Sequence, residues 1–197
     1  MYDLGNARKW AQRLREEALF PGAVVVDATM GNGGDTAHLA QLVGENGHVY
    51  AFDVQQEALD RTAERLKEAG LSARVTLILD GHQNMLRHIK TPCDMIVFNL
   101  GWLPGAAHDV FTLAETTMRA LDAALALLKV GALLTVCVYP GHEEGTRELH
   151  ALLEWAAALD EKRFDAMHKT YLNQSNDPPH LIAVKKKLTR RQKGTGK

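Results

Sequence analysis

The stretch Val24-Val25-Val26-Asp27 followed by Ala28-Thr29-Met30-Gly31-Asn32-Gly33-Gly34 constrains this chain more than any other. A β-branched run ends in an acid, a glycine-rich turn follows, and a helical pattern starts at Asp35-Thr36-Ala37-His38-Leu39. Unbroken apolar runs of this kind form strands buried on both faces of a parallel sheet. Glycine lets the backbone turn tightly and approach a ligand with no Cβ in the way. The helix start presents free N–H groups, with Asp35 or Thr36 expected as its N-cap. This is the build of a nucleotide-type cofactor loop.

Two nucleotide motifs can be set aside. The dinucleotide fingerprint G-x-G-x-x-G would need a third glycine where Thr36 stands, and no Gly-Lys-Ser/Thr follows for a P-loop. What remains is an acid at the strand end, Asp27, with glycines four and six residues later. That spacing resembles the cofactor loop of class I S-adenosylmethionine (SAM) methyltransferases. A plain β-α turn would use similar residues, so the rest of the chain has to decide.

Along the chain, Ala7, Trp10, Ala11, Leu14 and Ala18 recur at helical spacing and predict an amphipathic first helix. Strands are expected at 23–28, 48–54, 74–79, 94–98 and 132–139, with helices over 36–43, 55–69, 113–128 and 144–159 between them. Two last apolar segments, 164–172 and 181–184, have no helix between them and should form an antiparallel hairpin at one sheet edge. The expectation is an α/β fold: a seven-stranded, mostly parallel sheet with helices on both faces. Ligands of such sheets sit beyond the carboxyl ends of the strands.

With 197 residues, 46% hydrophobic, the chain suits one globular domain. No membrane span or signal-peptide pattern is visible, and Cys93 and Cys137 have no metal-ligand spacing, so a cytoplasmic location and no metal are expected. From Lys185 on there are seven basic residues and no acid, which leaves −8 on residues 1–184 of a chain whose net charge is −1. The domain is taken as 1–184 and the basic tail as 185–197, either a solvated end or a small RNA contact.

The polar residues at the strand ends carry the chemistry. Asp53 can accept both ribose hydroxyls of a nucleoside, with Gln55 and Gln56 nearby, or cap the next helix. Asp80 can accept an adenine amino group beside His82, or belong to an ordinary Asp-Gly turn. Asn99-Leu100-Gly101-Trp102-Leu103-Pro104-Gly105 places an amide beside main-chain carbonyls that can hold an –NH₂ group, and Trp102 can stack on a flat base. Tyr139-Pro140-Gly141-His142-Glu143-Glu144-Gly145 should face the same cleft, His142 being either a proton acceptor or an exposed loop residue. Tyr171 and Asn173 either line the substrate side or satisfy the hairpin.

The three loops in this order, 27–36, 99–105 and 139–145, resemble one family: the small bacterial SAM-dependent methyltransferases long labelled "putative rRNA methylase". The similarity runs to about Val184. It implies a class I (Rossmann-like) methyltransferase fold, SAM as cofactor, and tRNA as partner through its anticodon stem-loop. The implied reaction methylates the 5-aminomethyl group of (2-thio)uridine at the wobble position. By the resemblance, Asn32, Asp53 and Asp80 contact the cofactor. Asn99, Gly101 and Trp102 match the counterpart of the Asn-Pro-Pro-Tyr loop of amino-methyltransferases, with Leu100 and Gly101 in place of both prolines. Thr29 stands where many class I enzymes carry a glycine.

The expected cofactor set is therefore Asp27, Thr29, Gly31, Asn32, Gly33, Asp35, Thr36, Asp53, Gln55, Gln56, Asp80 and His82. Asn99 and His142 are the expected catalytic pair, and Leu100, Gly101, Trp102, Tyr139 and Asn173 the substrate side. An rRNA N-methyltransferase, a small-molecule amine methyltransferase and a SAM-binding regulator without catalysis are the other readings. A homodimer stays open, since a domain this size reaches little of a tRNA and exposed apolar helix faces could pair.

Overall fold

A computed structural model describes residues 4–101 and 112–188. Helix α1 (Ala7–Ala18) is capped by Asn6, whose side chain accepts from Lys9 N. There follow β1 (Val24–Asp27), α2 (Gly34–Val43), β2 (His48–Asp53), α3 (Gln56–Glu68) and β3 (Val75–Leu79). Then come a 3-10 turn at His82–Asn84, a one-turn helix α4 (Met85–His88) and β4 (Cys93–Asn99). The remainder is α5 (Ala114–Leu127), β5 (Leu128–Val138), α6 (Glu143–Ala157), β6 (Phe164–Lys169) and β7 (His180–Lys186).

The seven strands form one sheet in the order β3-β2-β1-β4-β5-β7-β6. β1 to β5 are parallel, and β7 runs antiparallel to both β5 and β6. The expected antiparallel pair is present, with β7 lying between β5 and β6, and β6 at the sheet edge. α4 and the 3-10 turns were not anticipated, and β5 begins at Leu128, four residues before the expected start. α5 passes directly into β5, and Gly131 within that strand sits at φ +86°, a backbone value that favours glycine.

Successive strand residues point to opposite faces, and both faces are covered. Val26, Phe52, Ile96, Phe98 and Val136 pack with Ala120, Leu121 and Ala124 of α5 and Leu149 and Leu152 of α6. Val25, Val49, Met95 and Val97 pack with Leu39, Ala40 and Val43 of α2 and Leu66 of α3. A smaller cluster joins Ala7 and Ala11 of α1 to Cys137 and Leu181. That third cluster lays the N-terminal helix along β5 and β7, beside the carboxyl edge of the sheet.

Lys185 and Lys186 belong to β7. Lys186 Nζ donates to the carbonyls of Leu125 and Leu128, at 2.8 and 2.7 Å, and so satisfies the end of α5. No helix of the described residues is long and apolar enough to cross a membrane, and these residues hold no cluster of three or more potential metal ligands.

Candidate active site

The chain reverses its strand order between β1 and β4, which leaves a crevice at the carboxyl edge. A cavity of about 840 Å³ occupies it. It runs from Gly31 and Asn32, past Asp53 and Gln55, to Asp80 and His82, and back to Asn99, Leu100, Gly101 and Tyr139. Thus the ends of β1, β2, β3, β4 and β5 share one wall.

The glycine loop is held from below. Asp27 is fully buried and accepts from Thr29 N at 3.2 Å and Thr36 Oγ1 at 2.7 Å. Complete burial, followed by the neighbouring Asp35 carboxylate, pushes its pKa up to about 7, against the hydrogen bonds from Thr36 and Thr29. Asp27 and Thr36 do not line the cavity; they anchor the turn to the helix beneath it. The N-cap of α2 is Gly33, at φ +73°, and neither Asp35 nor Thr36 caps it. Both side chains are engaged elsewhere, Thr36 with Asp27 and Asp35 with Arg15 and Asn99. A Cβ on Gly33 would lie 2.7 Å from Thr62 Oγ1, so the loop is pressed against α3. Gly33 and Gln56 also fall outside the cavity lining, whereas Thr29, Gly31, Asn32, Asp35 and Gln55 are in it.

Asp53 bridges strand to loop: Oδ2 accepts from Gly31 N at 3.1 Å and Oδ1 from Gln55 N at 3.1 Å. Burial raises its pKa, and these backbone bonds work against the rise. Asp80 accepts from His88 at 2.7 Å and Asn84 at 2.8 Å, and those bonds hold its carboxyl below the usual range. His82 is buried, with Nδ1 3.2 Å from the Ala28 carbonyl. A carbonyl only accepts, so Nδ1 carries the proton and Nε2 is a bare acceptor. That Nε2 is buried and has no hydrogen-bond partner among the described residues. Burial also lowers the His82 pKa, which favours the neutral ring.

Across the cavity, Asn99 N donates to Thr29 Oγ1 at 2.7 Å and Asn99 Nδ2 to Asp35 Oδ2 at 2.5 Å. Arg15 of α1, 4% exposed, places Nη1 3.0 Å from Asp35 Oδ1 in a charge contact without hydrogen-bond alignment. The turn after β4 is fixed from the other side. Gly101, at φ +134°, donates to Thr112 Oγ1, which donates in turn to the buried Glu148 of α6 at 2.7 Å. Thr117 Oγ1 donates to the other Glu148 oxygen, also at 2.7 Å.

His142 does not line this cavity. It is the N-cap of α6, its Nδ1 accepting from Gly145 N at 3.0 Å. Tyr139 does line it, with its phenol pushed up to about 12 by burial. Asn173 is exposed and borders a second cavity of about 270 Å³ with Tyr171. Trp102 and residues 103–105 lie outside the described residues. Arg15, Thr112 and Glu148 escaped the sequence reading, because each reads as an ordinary helix or loop residue in a local pattern. Arg8, which lines the cavity from α1, was missed for the same reason.

A family model described as "Putative rRNA methylase" matches residues 49–185. The chain belongs to this family. A chloroplastic tRNA (mnm(5)s(2)U34)-methyltransferase of Arabidopsis thaliana is 36% identical over 164 residues, 78% of this chain and 60% of the plant protein. The chain therefore spans less than two thirds of that relative's length. A crystal structure of a "putative rRNA-methylase" from Clostridium thermocellum is 42% identical with a TM-score of 0.92, over 94% of this chain and all of that one. A "putative methyltransferase" from Streptococcus mutans in complex with SAH is 36% identical with a TM-score of 0.85, over 93% and 99% of the two chains. The family member thus has the class I methyltransferase fold, antiparallel end included.

Proposed function

We propose that this family member is a SAM-dependent N-methyltransferase that converts 5-aminomethyl-(2-thio)uridine at the tRNA wobble position to 5-methylaminomethyl-(2-thio)uridine. The observation that carries the reading is the Asn99 amide. Its Nδ2 is engaged by Asp35, so Oδ1 is left to accept from a substrate amine at the rim of a nucleoside-sized cavity. The likeness to the plant tRNA methyltransferase supports the choice of nucleoside.

SAM fits the residues present. The buried acceptor His82 Nε2 lacks a donor, which an adenine amino group supplies, with Asp80 close by. Asp53 stands where ribose hydroxyls need an acceptor, and the N–H groups at the start of α2 suit a carboxylate. Asp27, Gly33 and Thr36 serve beneath the cofactor rather than against it. When bound, SAM supplies an electrophilic methyl group on a sulfonium.

Asn99 Oδ1 and the Leu100 carbonyl accept from the amine N–H groups and aim the nitrogen lone pair at that methyl. Gly101 and Tyr139 form the substrate side. Positioning of the two reactants is the main source of rate. The amine must arrive neutral, so turnover rises with pH through its bound pKa. His142 Nδ1 is occupied by its capping bond, and the proton released after transfer goes to solvent.

The test is transfer of labelled methyl from SAM to total tRNA carrying unmethylated 5-aminomethyluridine, followed by nucleoside mass analysis. The family description keeps an rRNA substrate as the second reading. The same assay on unmodified rRNA separates the two, and label in rRNA alone replaces the tRNA reading.

A further inference from the structure

Beside the cavity, at the β7–β6 end of the sheet, lies a face that the reaction does not use. The register Lys169–Leu181 and Leu181–Cys137 brings the carboxyl end of β6 level with that of β5. Trp10 of α1 stands there, its indole Nε1 donating to the Leu4 carbonyl. Two cations converge on its ring: Lys169 Nζ at 3.9 Å from the centroid and Arg13 Cζ at 5.0 Å. Lys169 has no acidic partner among the described residues. Arg8 of the same helix extends the positive face into the main cavity, and Glu16 is turned away toward His38.

The Trp10 ring holds the Lys169 ammonium in place without cancelling its charge, as a carboxylate would. The residues before the tail carry a net −8 and repel a polyanion, which makes this concentration of positive charge at the cleft notable. Next to it lies the second cavity, bordered by Lys169, Tyr171 and Leu172 and sharing Pro179 with the main one. Tyr171 is fixed by its hydroxyl, which donates to Gly5 O at 2.8 Å, and Leu172 is fully exposed. Aromatic and apolar surface beside a cationic track is the usual platform for an unstacked base.

We propose that this face docks the RNA strand flanking the target nucleoside, with phosphates on Lys169 and Arg13 and the neighbouring base in the second cavity. The inference rests on an RNA substrate and names the surface that such a substrate uses. It assigns Lys169 and Arg13 to strand binding only, apart from SAM and the reacting amine.

The experiment uses the full chain with Lys169→Glu, Arg13→Glu and the double variant. Binding of an anticodon stem-loop RNA is followed by fluorescence anisotropy over a salt series, and SAM binding by calorimetry. The double variant is expected to weaken RNA binding by about tenfold or more and to lower the salt slope by about one to two. SAM affinity stays as in the wild type, which also reports an intact fold. In methylation assays KM for RNA rises while kcat holds. Should the charge reversals disturb folding, Lys169→Gln and Arg13→Gln carry the same comparison with a smaller effect. Unchanged affinity and salt slope in a folded double variant overturn the docking face and leave the methyltransferase reading intact. If the wild type binds no RNA yet methylates a small amine, the RNA substrate itself is wrong.

Discussion

Asn99 and Asp35 meet through a hydrogen bond of 2.5 Å across 64 residues of sequence, from the end of β4 to the first turn of α2. Asp35 is an acceptor only, so the bond selects the amide rotamer: nitrogen toward the glycine loop, oxygen free.

Asn99→Ala removes the amide that orients the amine. Turnover is expected to fall by about a hundredfold, the scale of misplacing a reactant, while the SAM dissociation constant moves little. Initial rates at saturating SAM together with calorimetry check this. Loss of SAM binding with turnover per bound SAM intact would return Asn99 to the cofactor loop.

Arg15→Met leaves Asp35 without its positive neighbour. The loss in stability is expected to be about 3 kcal/mol, the low end for a broken buried pair, since a quarter of the Asp35 side chain reaches solvent. Asp35→Asn in the same chain should recover part of it. Urea denaturation of the two single variants and the double variant measures the coupling, and purely additive losses would show the pair to be idle.

Asp27 binds its proton up to about pH 7 in the folded chain, against the ordinary aspartate range when unfolded. Its contribution to stability is therefore complete below that lower range and is lost as pH rises toward 7. Asp27→Asn keeps an acceptor for Thr29 N, and the Thr36 hydroxyl can turn to accept from the new amide. The variant should match the wild type near pH 4 and surpass it near pH 8 in melting temperature. A gap that does not change with pH would contradict the assignment.

Gly33→Ala introduces a Cβ at φ +73° and 2.7 Å from Thr62 Oγ1. A loss of about 1–3 kcal/mol is expected, along with weaker SAM binding, because the loop must lift off α3. Gly34→Ala is the control, as nothing lies within 4 Å of a Cβ there. Equal effects at both positions would remove the steric argument.

How much of this was legible depended on distance along the chain. Val24–Asp27 could be read as a buried strand because its pattern is local, and Asp53, Asp80 and Asn99 could be placed at strand ends by the same means. The one-turn helix Met85–His88 was missed because four residues show no periodicity. The N-cap of α2 was misplaced because Asp35 and Thr36 are good caps locally, and only the buried Asp27 and the distant Arg15 and Asn99 claim their side chains.

By itself, the sequence determined the order of strands and helices, the glycine loop, and which polar residues end the strands, since apolar period and turn chemistry act over a few residues. The tertiary structure alone decided what those residues do together. Arg15 reaches Asp35 because α1 packs on β5 and β7 through Ala7 and Ala11. His82 acquires a bare Nε2 because its other nitrogen finds Ala28, 54 residues earlier. His142 becomes a helix cap because Gly145 turns its N–H back toward the ring. Charge pairing, tautomer and burial depend on neighbours that folding brings together, and no local pattern encodes those neighbours.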